Sequence, residues 1–191
     1  MPLTDAQIDR YSRQIIVPHI GGRGQERLLG ARILLVGDAR DIEAPLAYLI
    51  GAGVGSICVK SSAGKVALTE TNPDVSITVE GETAGAVDLA LVVVGSEAAR
   101  KIAEKIARNR DMRALVIARL DTPAKIAIIP KAGIVTEPSL RAAFSQRSEA
   151  ADFIAILATA EAFKLLAGYA DKPSPAIIEF DGFATSVRVL P

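Results

Sequence analysis

The chain has 191 residues, half of them hydrophobic and 23% charged, and its 22 basic residues balance 22 acidic ones. This composition can fill a large core and excludes intrinsic disorder, and the zero net charge gives no electrostatic case for nucleic acid binding. No apolar run reaches the ~20 residues of a membrane span, and one cysteine and one histidine exclude a disulfide framework and a cysteine- or histidine-rich metal site. We expect one cytoplasmic globular domain over residues 1–191, with no nucleic acid or membrane partner.

The first predicted elements are helices. Thr4 and Gln7 have the spacing of a capping box, in which each side chain satisfies a backbone N–H group of the other residue. Apolar residues then recur at helical spacing and predict a helix over about 5–16. A second, short helix is predicted over 24–29, with Gly30 as a left-handed cap.

Short apolar runs and helical stretches alternate through the middle of the chain. The predicted strands are 33–37, 57–59, 75–79, 89–94, 114–118 and 126–130, and the predicted helices are 43–52 and 97–109. Strands that alternate with helices favour parallel pairing through right-handed crossovers. The sequence therefore predicts an α/β fold, a Rossmann-like doubly wound and mostly parallel sheet with helices on both faces and an N-terminal helical segment.

The C-terminal part begins with a polar, irregular stretch over 131–149. The next segment, 153–166, is apolar nearly all round, which is typical of a helix that is buried or packed against a partner, and it stops at Gly168. The tail 176–190 predicts a C-terminal hairpin that turns at Asp181-Gly182.

The first 60 residues resemble the MoeB/ThiF/HesA family, the bacterial relatives of ubiquitin-activating enzymes. The motifs that carry the resemblance are Arg10-Tyr11-Ser12-Arg13-Gln14-Ile15, Gly24-Gln25-Glu26, Ile33–Gly37 and Ala52-Gly53-Val54-Gly55, and the late helix through Glu161–Tyr169 matches the family's closing segment. The resemblance implies a dimer that binds ATP and magnesium and adenylates the C-terminal carboxylate of a ubiquitin-like sulfur carrier. It also identifies this chain as a shortened and degenerate member.

The phosphate loop that the resemblance implies is largely missing. The family has Gly-x-Gly-Gly-x-Gly, whereas this chain has Gly37-Asp38-Ala39-Arg40-Asp41-Ile42 and keeps only the first glycine. Asp38, Asp41 and Glu43 place carboxylates where a triphosphate would lie, and Arg40 offsets only one of them. We expect each such repulsion to cost on the order of 1–4 kcal/mol at contact distance.

The start of the following helix gives a second argument against phosphate binding. Proline prefers the first helical position, so Pro45 predicts a helix that begins near residue 45. A start about three residues late would withdraw the helix N-terminus by roughly 4–5 Å.

Other ligands that the resemblance implies are also weak or missing. No acidic residue follows the second predicted strand at Lys60–Ser62, where Rossmann folds hold a ribose. Lys65 matches a phosphate-contacting lysine of the family, and a solvated surface lysine is the alternative. Gly95 stands where the family has its magnesium-binding aspartate, and nearby Glu97 is expected to begin the next helix instead.

Arg13 and Gln14 of the family motif are intact. The resemblance implies that Arg13 reaches across a dimer to the partner's ATP, and local pairing within the N-terminal helices is the alternative. The vestigial nucleotide-binding residues are therefore Arg13, Gln14, Gly37 and Lys65, with no catalytic residue and no metal ligand.

Four functions follow from these observations. We favour a degenerate, non-catalytic family member that is a structural or regulatory subunit without a cofactor, as a homodimer or as a heterodimer with an active paralogue. The alternative is an ATP- and magnesium-dependent adenylyltransferase with an atypical site, which acts on a ubiquitin-like sulfur-carrier protein. A dinucleotide-dependent oxidoreductase is disfavoured because the glycine fingerprint and the ribose acid are missing, and a small-metabolite binding module stays open.

Overall fold

The computed structural model describes residues 2–68, 71–79, 86–107, 114–120, 124–129, 148–169, 176–180 and 185–189. The helices are α1 (Asp5–Arg10), α2 (Ser12–Ile15), α3 (Gly21–Gly30), α4 (Ala39–Ala52), α5 (Glu97–Ala107) and α6 (Ala151–Ala167). The strands are β1 (Arg32–Gly37), β2 (Ser56–Ser61), β3 (Ser76–Val79), β4 (Leu89–Val94), β5 (Ala114–Arg119), β6 (Ala124–Ile129), β7 (Ala176–Phe180) and β8 (Thr185–Val189).

All these strands join in one sheet, in the order β3-β2-β1-β4-β5-β6-β7-β8. The pairs from β3 to β5 are parallel, whereas β6, β7 and β8 add to the sheet in antiparallel fashion. The predicted Rossmann-like, mostly parallel sheet is confirmed. From β1 the sheet continues in one direction through β2 and β3, and in the other direction through β4 and β5. The boundary between β1 and β4 is therefore a topological switch point, and such a point opens a crevice at the carboxyl ends of the strands.

Two apolar layers cover the sheet. Helix α4 packs on β1 and α6 packs on β4, β5 and β6, and α6 also contacts α3 and α4. On the opposite face α5 packs on β4 and β1. Strand β4 is buried along its whole length because helices lie on both sides of it, which explains its unbroken apolar run.

The predicted N-terminal helix is interrupted at Tyr11. The capping box is confirmed, with Thr4 N 3.1 Å from Gln7 Oε1 and Gln7 N 3.3 Å from Thr4 Oγ1. Tyr11 leaves helical geometry and its side chain is only 1% exposed. Gly53 makes room for it, because a Cβ built on Gly53 would lie 2.5 Å from the Tyr11 hydroxyl and the φ there is +78°. The free energy gained by burying the Tyr11 ring therefore exceeds the cost of interrupting the helix.

Two predicted helix boundaries are wrong. Helix α3 begins at Gly21, and Gly30 lies inside it; the cap is Ala31, in extended conformation. Helix α4 begins at Ala39, directly after β1, and Pro45 lies in its interior. The helix N-terminus is therefore not withdrawn from the strand end. A proline inside a helix costs about 3 kcal/mol, and burial of the apolar face of α4 in the core offsets that cost. The buried residues on this face are Ile42, Pro45, Leu46, Leu49 and Ile50.

The C-terminal elements agree with the sequence. Helix α6 ends at Ala167, and Gly168 caps it in left-handed conformation with φ 69°. Strands β7 and β8 pair antiparallel, as the predicted hairpin requires. The predicted turn at Asp181-Gly182 and most of the irregular stretch lie outside the described residues. Within the described ranges, no helix has both the length and the apolar character needed to cross a bilayer.

Candidate nucleotide cleft

The switch-point crevice lies at the carboxyl ends of β1, β2 and β4, and the carboxylates of Asp38 and Asp41 lie in it. Asp38 directly follows β1, and its Oδ1 accepts a hydrogen bond from Ser96 Oγ at 2.8 Å and another from Ser62 Oγ. Ser62 follows β2, and Ser96 lies two residues beyond β4. Asp38 therefore connects the ends of three neighbouring strands.

A loop covers the start of α4. The backbone N–H of Ala39 donates to the carbonyl of Ala63 at 2.8 Å, and the N–H of Asp41 donates to the carbonyl of Asp38 at 2.8 Å. Ser61 Oγ donates to the Ala63 carbonyl at 2.9 Å and holds this loop in place. A helix N-terminus binds an anion through its unpaired N–H groups. Two of those groups in α4 already have partners within the chain.

Glycines in the crevice are required by close packing. A Cβ built on Gly95 would lie 1.7 Å from Asp41 Oδ2, so the Asp41 carboxylate, in a residue only 7% exposed, occupies the space of a side chain at position 95. A Cβ on Gly37 would lie 2.5 Å from Ile42 Cγ2 and 2.8 Å from the Val93 carbonyl oxygen. A side chain at position 95 would therefore have to displace the Asp41 carboxylate.

The four candidate ligands do not come together. Gly37 lies in the crevice, and Lys65 follows the covering loop with an exposed side chain. Arg13 is exposed on α2, and Gln14 Nε2 donates to the Gly51 carbonyl at 3.4 Å, near the C-terminal end of α4. Helix α4 has 14 residues, so its two ends lie about 20 Å apart. Within one protomer, Arg13 and Gln14 thus lie far from the crevice.

A groove of about 520 Å³ lies beside Gln14, between α2, α4 and α6. It is lined by Gln14, Ala47, Tyr48, Leu49, Gly51, Ala52, Ile156, Thr159, Ala160 and Phe163. Gln14 Oε1 is buried within the protomer and accepts no hydrogen bond from the described residues, and Tyr48 is 58% exposed. The sequence indicated such a surface only through the apolar character of α6, and it did not indicate the residues of α4.

The Arg10-Tyr11 half of the family-like motif has a structural role. Arg10 Nη1 lies 2.6 Å from Asp74 Oδ2, the Tyr11 hydroxyl donates to the same oxygen at 2.9 Å, and Gln7 Nε2 donates to Asp74 Oδ1 at 3.0 Å. Burial raises the pKa of Tyr11. Partial burial opposes ionisation of Asp74, but the hydrogen bonds from Gln7 and Tyr11 and the charge of Arg10 outweigh it and lower the pKa of Asp74. The motif therefore fixes the N-terminal segment to the turn before β3.

Comparisons with known proteins agree with the resemblance. No protein-family model matches the chain. It is 49% identical over 57 residues, 29% of the chain, to the adenylyltransferase and sulfurtransferase uba4 of Pyricularia oryzae, and the match covers 11% of that protein. It is 47% identical over 60 residues, 31% of the chain, to the sulfur carrier protein adenylyltransferase of Thermus thermophilus, of which the match covers 22%. The matched segment is thus a minor part of each relative.

Solved structures extend the likeness to nearly the whole chain. The E. coli MccB structure with AMPCPP and MccA superposes with a TM-score of 0.66 at 13% identity, over 98% of this chain and 72% of MccB. PaaA gives a TM-score of 0.58 at 16% identity, over 98% of this chain and 74% of PaaA. At sequence identities of 13% and 16%, the likeness to these structures shows a shared fold and nothing about a shared activity. The chain therefore has the fold of the MoeB/ThiF adenylyltransferase family and shares sequence with that family over about a third of its length.

Proposed function

We propose that this chain is a degenerate MoeB/ThiF-type protein that does not adenylate a substrate and instead acts as a structural or regulatory subunit. The observation that carries the proposal is the Asp38 carboxylate, which accepts hydrogen bonds from Ser62 and Ser96 in the switch-point crevice. This is the position where a protein of this fold would accept a nucleotide.

The crevice does not fit a triphosphate. A phosphate placed at the α4 N-terminus would meet the Asp38 carboxylate, and each such contact is unfavourable by about 1–4 kcal/mol. The N–H groups of Ala39 and Asp41 already donate to backbone carbonyls, so they offer the anion no compensation. Gly95 supplies no side chain as a magnesium ligand, and the space beside it is filled by the Asp41 carboxylate of the neighbouring helix.

The α2–α4–α6 groove supports a role as one subunit of a dimer, either a homodimer or a heterodimer with an active paralogue. The groove is apolar and carries the ring of Tyr48, which is 58% exposed. Burial of that ring and of the apolar lining against a second subunit would stabilise the dimer. Arg13 is exposed on the same helix as Gln14, at a site from which it could reach a second subunit.

The second candidate is an active adenylyltransferase that uses ATP and magnesium and acts on a ubiquitin-like sulfur carrier. It is favoured by the relatives, which are named adenylyltransferases and are 47–49% identical to this chain over the matched residues. In that case Lys65, Arg40 and the partner subunit's Arg13 would contact the nucleotide, after the loop over α4 had moved.

Calorimetry with ATP and magnesium separates the two candidates. We expect no measurable heat of binding to this chain, while the Thermus thermophilus adenylyltransferase serves as a positive control. A dissociation constant at or below tens of micromolar would support the active enzyme instead. Light scattering of the same sample gives the oligomeric state, and substitution of Arg13 followed by assay of a co-expressed active paralogue tests the role of Arg13 in trans.

A further inference from the structure

The sheet has a second surface feature, on the face that carries α5. Helix α5 packs on β4 and β1, and none of the described helices lies over β6, β7 and β8 on this face. The pairing register places side chains of adjacent strands in two rows across the sheet. One row contains Ile117, Ala127 and Ile177, and the next contains Arg119, Lys125 and Glu179. Arg188 of β8 is paired with Ile177 and ends the first row at the sheet edge.

These side chains enclose a trough of about 220 Å³ on the sheet face. Three of its lining residues are cationic and one is anionic, although the whole chain has no net charge. Lys125 Nζ lies 2.9 Å from Glu179 Oε1, so these two charges compensate each other. Arg188 is exposed and makes no ion pair within the described ranges. The trough is therefore apolar at its floor and positively charged toward the edge strand.

The edge strand itself offers a row of backbone groups. Among the described strands, β8 pairs only with β7, so its outer N–H and C=O groups have no strand partner. Val187 and Val189 are both 63% exposed and point to the opposite face from Arg188, since side chains alternate along a strand. An added strand would therefore meet a guanidinium on one face and two valines on the other.

We propose that the edge strand β8 binds an extended segment of a partner protein in which acidic and apolar residues alternate. The segment adds a ninth strand beside β8, as in other complexes formed by strand addition. Its carboxylates lie opposite Arg188, because the planar guanidinium matches a carboxylate with two parallel hydrogen bonds. Its apolar side chains cover Val187 and Val189.

A second copy of the chain does not supply such a segment through its own edge. Strand β8 has the sequence Thr-Ser-Val-Arg-Val and contains no acidic residue. Two β8 strands paired with each other would leave both Arg188 side chains without a carboxylate. A free anion would use Arg188 but would leave the two valines exposed.

The test uses a fluorescein-labelled eight-residue peptide in which valine and glutamate alternate, measured by anisotropy at low ionic strength. We expect saturable binding to the full chain, and amide shifts in its NMR spectrum that concentrate in β8 and β7. Arg188→Glu should weaken binding by at least about fivefold. The matched control is Arg23→Glu, an exposed arginine on α3 that should leave the affinity unchanged.

Several outcomes would overturn the proposal. These are the absence of binding, equal binding of a peptide with lysine in place of glutamate, and equal weakening by Arg188→Glu and Arg23→Glu. Complete displacement by millimolar inorganic phosphate would indicate a site for free anions only. Both variants should have the thermal stability of the parent chain, because both side chains are exposed. None of these measurements depends on ATP binding.

Discussion

Gly95→Ala tests directly whether Asp41 fills the crevice. The new Cβ would lie 1.7 Å from Asp41 Oδ2, far inside van der Waals contact, and 3.4 Å from Leu120 Cδ1, which is an ordinary contact. Gly95 is not among the glycines with positive φ, so alanine strains the backbone little. The cost therefore arises from displacement of a nearly buried carboxylate. We expect a loss of about 2 kcal/mol in the free energy of unfolding, within the range of overpacked cores.

A double-mutant cycle with Asp41→Ala isolates that contact. With the carboxylate removed, Gly95→Ala should cost less than about 0.5 kcal/mol, so the coupling between the two sites should be about 1.5 kcal/mol. Urea unfolding of the four proteins, followed by circular dichroism, measures it. Additive effects, or a single-variant cost below about 0.5 kcal/mol, would refute the placement of Asp41 in the crevice.

Four further outcomes are expected. Tyr11→Phe removes the 2.9 Å hydrogen bond to Asp74 and should lower the free energy of unfolding by about 1–3 kcal/mol, as measured in urea; an unchanged midpoint would contradict this. The Asp74 pKa is lowered in the folded state, so its contribution to stability is complete above about pH 3.9, the ordinary pKa of Asp, and is lost as the pH falls through the folded value. Asp74→Asn should reduce that acid sensitivity in unfolding experiments from pH 6 downward. Gly53→Ala should cost at least about 2 kcal/mol, from the positive φ and the contact with Tyr11. The control Gly51→Ala should instead raise the free energy of unfolding by up to about 1 kcal/mol, because Gly51 lies in helix α4 and nothing lies within 4 Å of its Cβ. Tyr48→Glu should convert a dimer to a monomer in light scattering, and a wild-type chain that is monomeric at high micromolar concentration would argue against the groove as an interface.

The mostly parallel α/β sheet could be predicted because the central strands are apolar on both faces and alternate with helices. The predicted helix boundaries were wrong where a contact between residues far apart in the sequence determined the conformation. The interruption at Tyr11 depends on its burial against Gly53, and the helical position of Pro45 depends on core packing of α4. Both are tertiary effects that propensity does not contain.

The candidate site was predictable in part. The acidic, glycine-poor sequence after β1 indicated a poor phosphate site, but the contacts of Asp38 join residues that are 24 and 58 positions apart in the chain. Asp74 likewise meets Arg10 across 64 positions. These contacts depend on the order of the strands in the sheet. The partners Ser62, Ser96 and Asp74 could therefore not be identified from the spacing of residues in the sequence alone.

The hydrogen bonds of Asp38 bear on how the stability of this protein depends on the concentration of small molecules in the cell. Proteins that need a ligand to complete their fold become more stable when that ligand is abundant. Here an internal carboxylate joins the three strand ends. Under the proposed function no nucleotide is needed to complete this region, so its stability should be the same in starved and well-fed cells.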